Sequence, residues 1–498
     1  MKYPDPNKAA VTPRTQESSP PSDELDLQRL GYTQQFLRGF GGFSNFALSF
    51  SIISILTGAV TLFDYGLSMG GPREMVLGWP LVTSGTLMVA LSMAELCSAL
   101  PTSGGMYHWS AELGGPTWAW FTAWLNIVGL ITAIAGIDYG CAEFLVPMLG
   151  LQSGPYSLFA VYGLLLLSQV VINLYSAALI VWLSDVSVAV HILGVVVLVG
   201  SLLIFAAKQP VAFLWSTQNL SPVQAPYTWL FMLGLLQAQW TYTGFDASAH
   251  VAEETVDPRR QAPWGMVMSV VVSGIFGYLL ILSLVLAIPN LAQVLQTTDA
   301  SGHPLPAVLT IVRLTLGVRA ATAVLALTVL AMWFCGLGAI TSVSRSFFAL
   351  ARDKGMPLSS IWSRVNTRLK TPGPAIWLSA ALAFFAMIWG GAYSVVTSIS
   401  VIGFYLAYIA PVYLGWRTKS SWLGKRGPWH LGGASNIINV LALLWTVFIC
   451  TVMVMPPNAR AGRGILAVMG MLLLLHVASG KHKMNKPQWG QGKDSGSF

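Results

Sequence analysis

Charge is what this chain has least of. Asp, Glu, Lys and Arg make up 9% of its 498 residues, against about 25% in soluble domains. So little charge cannot cover the surface of a soluble globule of that size, and that class is excluded. Cysteine is scarce as well. Cys97, Cys141, Cys335 and Cys450 stand singly inside apolar segments, with no CxxC and no Cys/His cluster. A disulfide framework and a metal site are therefore not expected, and the four read as small buried hydrophobes. No HExxH occurs, and no GxSxG with acid and base partners, so a membrane enzyme has no machinery here. The string "HVAEE" (250–254) lacks the second histidine of a zinc-protease motif. No repeated pore motif marks a channel. No cofactor is expected.

Apolar length takes the place of charge. Hydrophobic residues are 54% of the chain, and runs of about 20 of them, enough to cross a bilayer, recur along it. Twelve transmembrane spans are predicted, at 44–69, 78–100, 117–149, 156–180, 185–207, 226–252, 263–288, 321–350, 373–391, 394–416, 434–455 and 462–480. The mixed-polarity segments 101–115 and 304–320 are expected to lie at an interface or to re-enter. The chain is an all-α membrane protein on this reading. Its first 25 or so residues, rich in Pro, Ser, Asp and Lys and without the apolar core of a signal peptide, read as a disordered tail.

The formal charge of +8 does not indicate nucleic acid. An even number of spans puts both termini on one side, and 21 of the 27 Lys and Arg then fall on that side. The positive-inside rule makes it the cytoplasmic side of what is expected to be the plasma membrane.

Two spans carry breaks. Span 1 holds "FSIISILTGAVTLF" (50–63), in which Ser54, Thr57 and Gly58 interrupt the apolar run. Span 6, five spans later, runs into "TYTGFDASAHVAEETVDPRR" (241–260), where Thr241, Thr243 and Gly244 do the same. Paired broken segments in corresponding halves point to a transporter built from inverted repeats. An N-tail of 1–35 would precede repeat one (36–207). Repeat two (226–416), helices 11 and 12 (434–480) and a C-tail of 481–498 would follow. Backbone freed inside a bilayer is tolerated only where protein shields it or it lines a wet cavity. Amides freed at a half-helix N-terminus suit a carboxylate. Carbonyls freed at a half-helix C-terminus suit an ammonium group. Facing each other, the two breaks would hold a zwitterion; the alternative is ordinary small-residue packing between helices.

"GFDASAHVAEETVDPRRQAP" (244–263) resembles the sixth-helix signature of the amino acid–polyamine–organocation superfamily. "MAELCSALPTSGGMYHWSAELGGP" (93–116) is similar to its second helix and re-entrant segment, "SFSIISILTG" (49–58) to its first helix, and "SVSRSFFALARDKGMP" (342–357) to the end of its eighth. Within it the chain most resembles the amino acid/choline branch, with the plant bidirectional amino acid transporters and γ-aminobutyrate (GABA) permeases. The resemblance implies a five-plus-five inverted repeat with broken helices 1 and 6 and two extra helices. It implies a substrate carboxylate near the backbone of Leu56, Thr57 and Gly58, beside Ser54. It implies an amine near the carbonyls of Trp240, Thr241 and Thr243, with Gly244 in the break and Phe245 as an aromatic lid. Leu56 departs from the pair of small residues that many members show around the first break.

Ionisable residues inside spans are functional hypotheses. By the family pattern, His191 (span 5) takes the place of a lysine in some proton-coupled relatives, so it would carry a coupling proton. The alternative is a neutral ring bonded to a backbone carbonyl. Thr341 and Ser342 (span 8) lie where sodium-coupled relatives place hydroxyl ligands, which suit a hard cation. Asp246 is expected to hold the span 6 break through backbone amides. Glu253 and Glu254 would pair with Arg38 or Arg345 and close an inner gate, or else form a solvated helix end. Asn126 would line the site or bond another helix, and Asp138 would attract a cation or do the same. Tyr107, Trp109, Trp118, Trp120 and Trp124 read as an interfacial aromatic belt. The expected function is secondary active transport of amino acids or GABA-like zwitterions, coupled to protons (or sodium) or exchanging. Choline or polyamine transport, or a non-transporting amino-acid sensor on the same fold, are the alternatives.

Overall fold

Without water to bond the backbone, apolar runs in a bilayer satisfy it internally, as helices. The structure, a computed structural model, describes residues 21–30, 34–175, 177–390, 393–419, 426–456 and 458–478. The C-tail expected at 481–498 and the N-tail before residue 21 lie outside the described residues. Part of the expected disordered tail is ordered: Pro21–Arg29 is a helix. Its Leu27 is buried, Asp23 Oδ2 accepts from the Asp257 amide at 3.0 Å, and Asp26 lies 3.6 Å from Arg259.

Helix α1 is in two pieces, α1a (Gly42–Ile53) and α1b (55–70). It turns at Gly71 (φ 68°, ψ −170°) directly into α2 (72–99). That turn admits only glycine, because a Cβ there would run into the Gln218 carbonyl. The second span thus begins earlier than the 78 expected. A re-entrant helix, Met106–Gly114, leads to α3 (Pro116–Met148), α4 (Pro155–Tyr175) and α5 (Ala177–Phe205). Helix α6 is broken into α6a (227–241) and the short α6b (Ala247–His250). Then come α7 (Pro258–Leu286), the short helices Leu291–Gln296 and Ala307–Leu316, and α8 (Val318–Arg352). Helices α9 (Gly373–Gly390), α10 (Tyr393–Arg417), α11 (Ser435–Val454) and α12 (Ala459–Ala478) complete the chain.

Ten helices among the described residues are long and apolar enough to cross a membrane. The two other expected spans are α6, cut short by its break, and α9. The repeat is visible in matching detail. Each half has a broken first helix and an amphipathic or re-entrant helix before its third. That third helix follows a glycine of positive φ in both halves: Gly115 (φ 86°) before α3 and Gly317 (φ 75°) before α8. The apolar stretches of α1, α3 and α10 are 89%, 78% and 78% buried, whereas those of α4 and α12 are 28% buried. The breaks therefore lie at the centre, wrapped by helices whose outer faces are left for lipid.

The aromatic belt is corrected. Trp118 is exposed, but Trp109, Trp120 and Tyr107 are buried. Their polar atoms serve packing: Trp109 Nε1 donates to Leu100 O (2.9 Å), Trp120 Nε1 to Gly355 O (3.0 Å) and the Tyr107 hydroxyl to Asp353 (3.0 Å).

Candidate functional site

Helix α1 breaks at one residue. Ser54 has φ 34°, ψ 83°, the left-handed region, which costs a non-glycine residue free energy. Its carbonyl accepts from the amides of Thr57 (2.8 Å) and Gly58 (2.9 Å), which restarts the helix. The Thr57 and Gly58 amides, two of those expected near the carboxylate, are thus used by the Ser54 carbonyl. Ile55 and Leu56 open α1b, so no carbonyl four residues back lies in the same half-helix to take their amides.

His191 holds this break. Its Nε2 is 2.8 Å from Ser54 Oγ and its Nδ1 2.8 Å from the Ser187 carbonyl. Ser54 Oγ in turn lies 2.6 Å from Thr57 Oγ1. A carbonyl only accepts, so Nδ1 carries a proton. With a neutral ring, Nε2 accepts from the Ser54 hydroxyl. With a charged ring, Nε2–H donates to Ser54, whose own proton turns to Thr57. His191 thus bonds a backbone carbonyl, as the alternative reading expects, and also reaches the break.

The α6 break spans 242–246. Gly244 has φ 79°, and a Cβ there would run into Ile52 of α1a. Thr241 Oγ1 donates back to Gln237 O (3.1 Å) and Thr243 Oγ1 to Trp240 O (2.9 Å). The Trp240 carbonyl is therefore partly occupied, while those of Thr241 and Thr243 take no donor among the described residues. Opposite them, a Cβ on Gly58 would lie 2.5 Å from Thr241 Cα, so α1b and α6a touch backbone to backbone. Ser54, Leu56, Thr57, Gly58, Trp240, Thr241, Thr243, Gly244 and Phe245 are all buried, and the site is closed over.

Among the described residues, the Asp246 side chain bonds no backbone amide. Its carboxylate receives the Tyr408 hydroxyl at 2.6 Å and lies 2.9 Å from His250 Nε2. Asn126 belongs to the same cluster, with Nδ2 3.1 Å from that His250 nitrogen. Phe245 is fully buried, its ring centroid 4.9 Å from that of Tyr408. Tyr405 adds a hydroxyl 2.9 Å from Thr86 Oγ1 and 3.4 Å from the Tyr242 carbonyl. The α10 tyrosines escape sequence reasoning because an aromatic in an apolar helix looks like core. Their spacing of three on one helix face was the available signal. Asp138 is buried against Gln169 Nε2 (2.7 Å), a bond between helices.

On the side of the basic loops the halves are locked. Glu254 pairs with Arg345 at 2.9 Å and Glu253 with Arg352 at 3.2 Å, all buried or nearly so. The solvated helix end is thereby overturned. Arg38 pairs with neither glutamate; its guanidinium donates to the Thr255 carbonyl (2.5 Å). Gly39 and Phe40 amides donate to Glu254 O (3.0 Å each). Deeper in, Ser49 Oγ lies 2.8 Å from Phe245 O and 2.7 Å from Ser248 Oγ, tying α1a to α6b.

The hydroxyl pair of α8 does not act together. Thr341 Oγ1 donates to Asn173 Oδ1 of α4 at 2.8 Å and to Leu337 O at 2.9 Å. Ser342 Oγ is buried without a partner. No group of three or more His, Cys, Asp or Glu among the described residues could hold a metal ion.

Two half-helices broken face to face at the centre of an inverted repeat define a membrane transporter. The amino acid permease family model matches residues 40–475, and the chain belongs to that family. Amino-acid permease BAT1 of Arabidopsis thaliana is 35% identical over 461 residues, 87% of this chain and 89% of the relative. The BAT1 homolog of Oryza sativa is 34% identical over 480 residues, 90% and 92% of the two chains. A GABA-specific permease of Saccharomyces cerevisiae is 28% identical over 464 residues, 89% and 80%. The protein is a multi-pass membrane permease, not an enzyme.

Proposed function

We propose that the protein moves amino acids or GABA-like zwitterions across the plasma membrane by alternating access, both termini being cytoplasmic. The observation that supports this is the close approach of the two breaks, where Gly58 of α1b lies against the backbone of Thr241 in α6a. Amides at the start of α1b suit a carboxylate, and carbonyls at the end of α6a an ammonium. Phe245, packed on Tyr408, would act as the lid over the substrate. The bundle α1, α2, α6 and α7 rocks against α3, α4, α8 and α9, and His191 carries the coupling proton. The relatives' names, amino-acid permease and GABA-specific permease, support the substrate class.

The test is counterflow in proteoliposomes preloaded with amino acids and GABA, following entry of labelled GABA. Entry above protein-free liposomes is expected, and competition by single amino acids then ranks the substrates. No entry of GABA or of any labelled amino acid would refute the reading. One observation favours a second reading, cationic amines. A cavity of about 360 Å³ on the side away from the basic loops is lined by Asp64 and Glu143. Labelled putrescine or choline entering where zwitterions do not would establish that alternative.

A further inference from the structure

Glu74 carries no sequence motif, yet the structure builds a slot around it. It lies at the start of α2, away from the basic loops, and is 1% exposed. Its Oε2 is buried without a hydrogen-bond partner. The slot exists because four neighbours lack side chains. A Cβ on Gly70 would collide with the Glu74 side chain, one on Gly78 would lie 2.5 Å from Oε1, one on Gly234 2.6 Å from Cδ, and one on Gly66 3.3 Å from Oε2. Gly66 and Gly70 belong to α1b, Gly78 to α2 and Gly234 to α6a.

The titratable groups near the carboxyl are committed elsewhere. Tyr65 of α1b donates to Asn458 (3.3 Å) and Tyr227 of α6a to the Gly70 carbonyl (3.0 Å). Arg73, next in sequence, is exposed to solvent. Among the described residues its Oε2 meets neither a hydrogen-bond donor nor a charged partner. An isolated carboxylate is too costly in such a place, and the group takes a proton instead.

We propose that Glu74 is a proton-binding site that gates closure of the outer half of the permease. The inference rests on the alternating-access reading above. When α1b and α6a part from α2 to admit substrate, water reaches the slot and Glu74 ionises. When they close, the carboxylate must first bind one proton from the outside to become a neutral acid. On reopening that proton leaves by the same side. The site therefore sets the rate of closure by external acidity, and contributes nothing to the driving force for accumulation. In that respect it differs from the role given to His191.

The experiment compares the full-length wild type with Glu74→Gln, which keeps shape and removes the titration, in oriented proteoliposomes. Counterflow is started at fixed internal pH while external pH varies. Where closure limits the rate, the wild-type initial rate should fall by up to about a hundredfold from about pH 6 to about pH 8 outside, in step with the protonated fraction of an exposed Glu. The Glu74→Gln rate should change less than about twofold over that range, with the same accumulation under an imposed gradient as wild type. Glu74→Met, of similar size, should behave as Glu74→Gln does. A variant that keeps the wild-type slope, or a wild type without one, overturns the proposal. If no labelled substrate enters even with wild type, the transport reading fails, and the infrared spectrum decides the protonation by itself. The carbonyl stretch of a protonated acid, present in wild type and lost in Glu74→Gln, supports the site; its absence from the difference spectrum overturns it.

Discussion

Ser54 sits in a conformation that serine adopts at a cost of about 1–2 kcal/mol, and His191 stands against it at 2.8 Å. A proton arriving at His191 reverses the direction of the His191–Ser54–Thr57 hydroxyl chain, which is a physical route from protonation to the shape of the break. His191→Ala should therefore abolish pH-driven accumulation, bringing the ratio of inside to outside substrate to one, while counterflow at equal pH persists. An unchanged pH dependence would remove His191 from coupling. Tyr408→Phe tests the second cluster. It takes a donor from the buried Asp246 carboxylate, and a hydrogen bond to a charged group contributes about 1.5–3 kcal/mol. The variant should melt at lower temperature in detergent. If stability is unchanged, the Tyr408–Asp246 bond has no weight in the fold.

Helices and their order were legible in the sequence because twenty apolar residues have one stable form in lipid. The positions of the two breaks were legible as well, from Ser, Thr and Gly inside otherwise apolar runs. Which residue does the breaking was not. Ser54, Thr57 and Gly58 together were expected to interrupt α1, but Ser54 turns the chain and Gly58 serves contact with Thr241. Composition marks both as small and polar; only the partner helix, distant in sequence, distinguishes a hinge from a packing surface. The same holds for Asp246 and Arg38, whose partners come from α10 and from a backbone carbonyl no pattern indicates. A consequence concerns the choice of probes. Gly58→Ala places a methyl 2.5 Å from backbone, and overpacking of this kind costs about 1–3 kcal/mol. It should lower thermal stability along with transport. Ser54→Gly, which removes the His191 contact and relieves the left-handed strain, should keep the fold and lose pH sensitivity. If Gly58→Ala melts like wild type, the tight α1b–α6a contact is not a feature of the resting protein.

Across the whole molecule, the closed conformation is tied at the side of the basic loops by charges that water does not reach. Arg345 and Glu254 are 0% and 1% exposed, and neither is stable there without the other. Removing one partner of a buried pair costs about 3–5 kcal/mol, mostly because the other charge is stranded. In a permease that opens to the cytoplasm this cost falls on the closed form alone, since opening hydrates Arg345. Glu254→Gln should then shift the resting population toward the inward-open form. The shift can be read from Ala252→Cys, a position fully buried in the closed form, in a background lacking the four native cysteines. A membrane-impermeant thiol reagent applied from the cytoplasmic side should label it at least about tenfold faster with Glu254→Gln, tenfold corresponding to about 1.4 kcal/mol. The double variant Glu254→Gln/Arg345→Gln strands no charge, so its labelling should return most of the way toward the parent rate. Fast labelling in both would mean that the pair itself closes the gate. Slow labelling in both would mean that the gate is held by the backbone bonds from Gly39 and Phe40 to Glu254 and by the Ser49–Ser248 contact, with the ion pair a passenger.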